Sequence, residues 1–180
     1  MATTGFGGAT TESRRRTAGR PGEANRNTTV NRNPIRSLLE QSLAELACAR
    51  RHLEYSFLQV VELPDSLEGA TERQLESAEA FTGRFARSVD LLINKVLRSL
   101  DRVEMMPEGT LLDRVNRAEK RGFVEHAETL REMKDVRNVI AHDYAGTKAA
   151  EIFAYCREQK PVLDVICERM SSHANRVLSL

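Results

Sequence analysis

Apolar residues recur every three to four positions along most of this chain, and nowhere do they alternate with polar ones as a half-buried strand requires. Asn33-Pro34 has the form of a helix cap followed by proline in the first turn. Ile35, Leu39, Leu46, Leu53, Phe57 and Val60 then follow at helical spacing, which predicts a first helix over about 34–62. Pro64, Asp65 and Gly69 break the pattern. Leu75, Ala78, Phe85, Val89, Leu92, Val96 and Val103 next form a stripe along one side of a second long helix running to about residue 104. Pro107-Glu108-Gly109-Thr110 is a loop and start signal, and Leu111, Leu112, Val115 and Ala118 predict a short third helix that stops at Gly122. Val124 to Ala145 reads as a fourth helix, with Leu130, Met133, Val136, Val139 and Ile140 apolar and Gly146 as its stop. Thr147 can cap a last helical stretch through Ile152, Phe153, Val162, Val165, Ile166 and Met170, with a kink or restart at Pro161. The expected fold is an all-α antiparallel bundle of four to five helices.

Residues 1–33 lie outside this pattern. They are rich in Thr, Gly, Asn and Arg and poor in large apolar side chains, so they bury too little to offset the entropy of ordering. They read as an Arg-rich disordered arm preceding a bundle domain over 34–180. Charge sharpens the division. The whole chain has a formal net charge of +1, but the arm holds six Arg and two Glu, a net of +4, which leaves −3 for the bundle. The Arg14-Arg15-Arg16 run either meets RNA or another acidic surface, or is a solvated tail with no specific role.

With 180 residues, 41% hydrophobic and 29% charged, the composition is that of one globular domain with a sizeable core. No stretch approaches the roughly 18 uncharged apolar residues that span a membrane, and the N-terminus lacks the apolar core of a secretory signal, so a cytoplasmic protein is expected. Three cysteines is an odd count that argues against a disulfide framework. His52, His126, His142 and His173 fall on separate segments, with no His-x-x-x-His or Cys-x-x-Cys spacing to suggest a metal site. Cys156 and Cys167 would lie about 16 Å apart along one helix, too far to share a ligand, and read as small buried hydrophobes. Phosphate-loop and nucleophile-elbow motifs are absent.

One segment carries chemistry: Arg137-Asn138-Val139-Ile140-Ala141-His142-Asp143-Tyr144, an Arg-x4-His-x-Tyr spacing near the predicted end of the fourth helix. With 22 Arg and four His among 180 residues, chance supplies about half an Arg-x4-His match. A second one, Arg121 to His126, is indeed present, but it spans Gly122 and has Glu128 where Tyr would stand. Requiring Tyr two residues after His lowers the chance expectation to about 1%.

This segment, with Glu119-Lys120-Arg121-Gly122-Phe123 upstream and two long amphipathic helices before it, resembles a HEPN domain of the HepT-like toxin family over roughly residues 35–175. The Arg-rich arm is not part of that pattern. The resemblance implies an all-α homodimer acting as an endoribonuclease without metal or other cofactor, and a nucleotidyltransferase antitoxin, MNT, as partner, with room for a larger hetero-complex. It further implies that Arg137 and His142 are catalytic, that Asn138 supports them, and that Tyr144 receives AMP from the antitoxin.

Helix geometry adds a constraint. Arg137 and His142 point about 140° apart and sit about 7.5 Å apart along the axis, a poor grip on a single phosphate. Two such helix ends related by a twofold axis could bring two Arg and two His to one cleft, which points to a site at a dimer interface. Arg137 and Tyr144 lie within about 20° of each other, so AMP on the tyrosine would crowd and partly neutralise the arginine face. Read from the residues alone, other roles stay open: Arg137 pairing with Glu132 or Asp135 or facing solvent, His142 bonding free carbonyls at a helix end, Tyr144 covering the core edge. Two functions follow. One is a ribonuclease toxin; the alternative is a non-catalytic HEPN binding or substrate subunit of a nucleotidyltransferase.

Overall fold

The computed structural model describes residues 33–142 and 148–180. The arm and the segment 143–147 lie outside it, and with them Tyr144, Gly146 and the cap expected at Thr147. Asn33 starts helix α1 (Pro34–Val60) as expected, its Oδ1 accepting the Ile35 N–H at 3.0 Å. Helix α2 (Glu72–Asp90) begins three residues before Leu75, where the apolar stripe starts. Its start is set by a reciprocal cap, Thr71 on Gln74 and Gln74 back on Thr71. From Asp90 the helix continues without a break through a π-helical segment, Leu91–Val96, into α3 (Leu97–Val103). The long second helix is therefore present, with a wide turn that periodicity did not foreshadow.

Helix α4 (Leu111–Lys120) opens on a Thr110–Asp113 capping box and stops before Gly122, whose φ of +72° is the left-handed conformation that ends helices. The following helix starts later than Val124. Phe123 N–H bonds back to Ala118 C=O and the chain folds its buried Phe123 and Val124 under the turn. Helix α5 (Ala127–His142) then begins where the Glu119 carboxylate accepts the Ala127 N–H at 2.6 Å. Helix α6 (Ala149–Ser179) is continuous, so Pro161 causes no restart. The helix is held before that proline by Arg157 against the Leu63 carbonyl and Lys160 against Glu54, and after it by Asp164 against Arg50 and Lys160. These ties offset the one backbone bond that proline removes.

All regular elements among the described residues are helical. Helix α1 lies antiparallel to the α2–α3 rod, as the descending pairs Ser42–Ser99, Glu45–Lys95 and Ser56–Arg84 trace. It is also antiparallel to α6, where Arg36 donates to the last carbonyls at Val177 and Leu178 and Arg50 binds Asp164 at 3.0 Å. Helix α5 packs on α2 and α4. The core is where these faces meet, with Phe81 edge-on to Phe153 at 6.0 Å and Leu39, Leu46, Leu53, Val89, Leu92, Leu130 and Met133 around it. Cys156 and Cys167 are buried free thiols whose desolvation pushes each up to about 12, which fits a packing role. Some residues of the apolar stripes face outward instead: Ile35, Leu112, Val139, Val162 and Val165 are exposed. Among the described residues no helix is long and apolar enough to cross a membrane.

Candidate functional site

The junction between α2 and the π-helical segment forms one wall of the candidate site. In a π turn the backbone bonds skip five residues instead of four, and such turns often mark functional positions. Asp90 is the last residue before it, and Asn94, inside it, donates Nδ2–H to Asp90 Oδ1 at 3.0 Å. Helix α5 supplies the other wall. Lys134 and Arg137, three residues apart, share a face of α5. Lys134 Nζ donates to Asp90 Oδ1 at 3.2 Å, and Arg137 Nη2 lies 3.0 Å from the same oxygen.

Burial separates the two cations. The Lys134 side chain is 13% exposed and is committed to Asp90, whereas Arg137 is 31% exposed and keeps part of its guanidinium toward solvent. Arg137 Nη1 also donates to Asn138 Oδ1 at 3.3 Å, which fixes the plane of the fork next to the polar residue that follows it. Burial pushes the Asp90 carboxyl up, but the Lys134 hydrogen bond, the charges of Arg137 and Lys134 and the Asn94 amide together hold it below the usual carboxylate range. Two cations thus converge on one carboxylate, leaving a local surplus of positive charge at the exposed edge of Arg137.

Among the roles open for Arg137, pairing within its own helix is not what the chain adopts. Its partner is Asp90 from α2, not Glu132 or Asp135. His142 is the last residue of α5 and is exposed. Since α5 is α-helical through His142, the side chains of Arg137 and His142 keep the wide separation in angle and height that their spacing implies. Tyr144 lies outside the described residues. Of the other two tyrosines, Tyr155 has a buried hydroxyl, and desolvation first, then the charges of Glu132 and its neighbours, push it up to about 12. Tyr55 is 63% exposed on α1.

The second Arg-x4-His match separates into unrelated parts. Arg121 is buried in an ion cluster with Asp101 at 2.7 Å and Glu104, while His126 stands exposed beyond the Gly122 turn. Sequence reasoning missed Asp90, Asn94 and Lys134. The only local trace of them was the polar pair Asp90 and Asn94 interrupting an apolar run, together with a lysine one turn before Arg137.

No curated protein and no solved structure matches the chain. Among protein families, the model described as ribonuclease HepT-like matches residues 57–170, a span that holds Asp90, Lys134, Arg137, Asn138, His142 and Tyr144.

Proposed function

The chain belongs to the ribonuclease HepT-like family, and from that premise we propose that it is the metal-independent endoribonuclease toxin of a HEPN/MNT toxin–antitoxin pair. Its catalytic residues on this reading are Arg137 and His142, acting at a homodimer interface. The observation that carries the proposal is the pairing of Arg137 with Asp90, which holds a partly exposed guanidinium at a fixed place on the helix that ends in His142.

The chemistry follows from the residue types. The ribose 2′-hydroxyl attacks the adjacent phosphorus, a pentavalent phosphorane forms, and the bond to the 5′-oxygen breaks, giving a 2′,3′-cyclic phosphate and a 5′-hydroxyl. A neutral imidazole takes the 2′-hydroxyl proton and an imidazolium delivers one to the departing 5′-oxygen. One His142 from each protomer fills these two roles, because within one protomer the second histidine is missing from this end of α5. Arg137, permanently cationic and fork-shaped, stabilises the charge that builds on the phosphorane oxygens. Asn138 orients that fork, and Asp90 with Lys134 keeps it from collapsing onto its own helix.

Regulation is by AMPylation: the MNT antitoxin transfers AMP from ATP to the Tyr144 hydroxyl with release of pyrophosphate, and the bulk and negative phosphate of that AMP would cover the Arg137 face. Peptide mapping after incubation with MNT and ATP should find AMP on Tyr144. Finding it on exposed Tyr55 would overturn the switch, and the buried Tyr155 hydroxyl is not accessible to a transferase. The reaction itself is tested by incubating the full chain with total RNA in EDTA and reading the new 3′ ends. Cyclic phosphate ends are expected; 3′-hydroxyl ends, or no cleavage by protein shown by mass to be free of AMP, would refute the mechanism.

A further inference from the structure

One turn of α2 before Asp90 stands Arg87, and one turn before that Arg84; both line a groove of about 440 Å³ between α1 and α2 that also includes Cys48, His52 and Leu91. By the 1.5 Å rise, Arg84 lies only about 9 Å along the helix axis from Asp90, on the side of α2 that faces α1, whereas Asp90 faces α5. Three features of the groove and its rim bear on what it binds. Arg84 is held by the His52 carbonyl at 3.2 Å and by the Ser56 hydroxyl, neutral acceptors that fix the guanidinium but leave its charge uncompensated. Arg87 is exposed and forms no ion pair among the described residues. Tyr55, 63% exposed, sits with its ring 5.9 Å from the Arg84 guanidinium, an aromatic face presented to solvent beside a cation.

The one carboxylate among the lining residues, Glu45, binds Lys95 at 2.9 Å and also feels the charge of Arg87, so it is shared between two cations and leaves the groove with a positive surplus. A fixed guanidinium at Arg84 and an exposed one a helical turn away at Arg87, next to an exposed aromatic, suit a single nucleic acid strand: phosphates on the cations and an unpaired base on the ring. A protein partner reading the same surface would need carboxylates at that spacing and would gain little from the ring.

We infer that the groove between α1 and α2 binds the single-stranded RNA segment next to the scissile phosphate, with Arg84 and Arg87 on successive phosphates and Tyr55 stacked on a base. This rests on the ribonuclease reading for the reaction, but not for the binding. Cleavage at Arg137 and His142 is then directed to unpaired stretches long enough to reach Tyr55, and the groove contributes to affinity without touching the reacting atoms.

The test uses the full chain carrying His142→Ala, so that RNA stays intact, and a short fluorescent single-stranded oligoribonucleotide of mixed sequence. Adding Tyr55→Ala should weaken binding about tenfold. Adding Arg87→Gln should make the dependence of log affinity on log salt shallower by about 0.7, one phosphate contact. In the parent chain both substitutions should raise KM for cleavage and leave kcat unchanged. If the parent cleaves and neither substitution moves binding or KM, the groove is refuted and the ribonuclease reading stands. Binding that depends on Tyr55 and Arg87 in a chain that does not cleave would uphold the groove and refute the ribonuclease reading. Absence of any oligonucleotide binding, or a dimer split by Arg87→Gln or Tyr55→Ala on sizing, would overturn the groove, in the second case because the face joins two copies of the chain.

Discussion

Replacing His142 with alanine is expected to slow RNA cleavage by about 10²- to 10⁴-fold, the range over which a positioned proton donor or acceptor acts, while leaving the thermal midpoint where it is. The stability side follows from position. His142 is exposed and is the terminal residue of α5, so its removal creates no cavity and unpairs no buried group. The activity side follows from symmetry. In a homodimer one substitution removes both histidines, hence both proton transfers, and the loss belongs at the upper end of the range. Single-turnover cleavage rates and circular dichroism melts of the same preparations measure the two effects. A rate within tenfold of the parent would remove His142 from the chemistry, and a lowered midpoint would show it to be a structural helix-end residue.

The opposite profile is expected for Asp101→Ala. Asp101 is buried on α3, and its two oxygens hold Arg117 and Arg121, one turn apart on α4, the second at 2.7 Å. Arg121 also binds Glu104, which in turn meets His173 of α6 at 2.6 Å. One carboxylate therefore anchors two guanidiniums at the junction of three helices. Its removal leaves Arg117 with only the Pro107 carbonyl and Arg121 with only Glu104, in a site where Arg114 Nε and Arg121 Nη1 already have no hydrogen-bond partner. Breaking a buried pair in this way costs about 3–5 kcal/mol, since an uncompensated charge is left behind. Urea unfolding at neutral pH should show the midpoint falling accordingly. A change under about 1 kcal/mol would mean that water reaches the guanidiniums and the cluster is effectively a surface pair.

How much of this was legible in the sequence depends on whether the signal was local. Asn33-Pro34, Gly122 and the stripe from Ala78 to Val96 state their roles within a few residues, and helices α1, α2 to α3 and α4 follow from them. The start of α5 was displaced because Val124 continues an apolar pattern, whereas Phe123 and Val124 are buried by a turn and not by a helix. Thr71-x-x-Gln74 is readable in the sequence as a capping box and marks where α2 begins, a start that the apolar stripe from Leu75 alone does not state. Pro161 broke a rule whose cost is met by Arg157 and Lys160 reaching to other segments, and such reach is invisible to a local pattern.

The candidate site divides the same way. Arg137, Asn138, His142 and Tyr144 are close in sequence and form a motif. Asp90, which decides where Arg137 points, is 47 positions away, and no spacing on α5 indicates it. Glu132 and Asp135 were the nearer acids, yet at five and two residues before Arg137 they point about 140° and 160° away from it on α5. Family membership and the motif point to α5 as the helix of the proposed chemistry; only the packing of α5 on α2 identifies what holds Arg137.

The wide turn at Leu91–Val96 ties the two ends of one rod together rotationally. Asp90 on its near side faces α5, while Asp101, two to three turns beyond, faces α4. A π turn accommodates one residue more than an α turn, so the angle between these two acids is set by that extra residue. Deleting a single residue there would let the rod close up as plain α-helix with both acids in place, whereas closing it at its present length would turn everything after it by about 100°. Either Asp90 would keep its cations and Asp101 would lose its own, or the reverse. This stretch therefore acts as a key between two gears, and a substitution that converts it to α-helix at its present length is worse tolerated than loss of one of its residues.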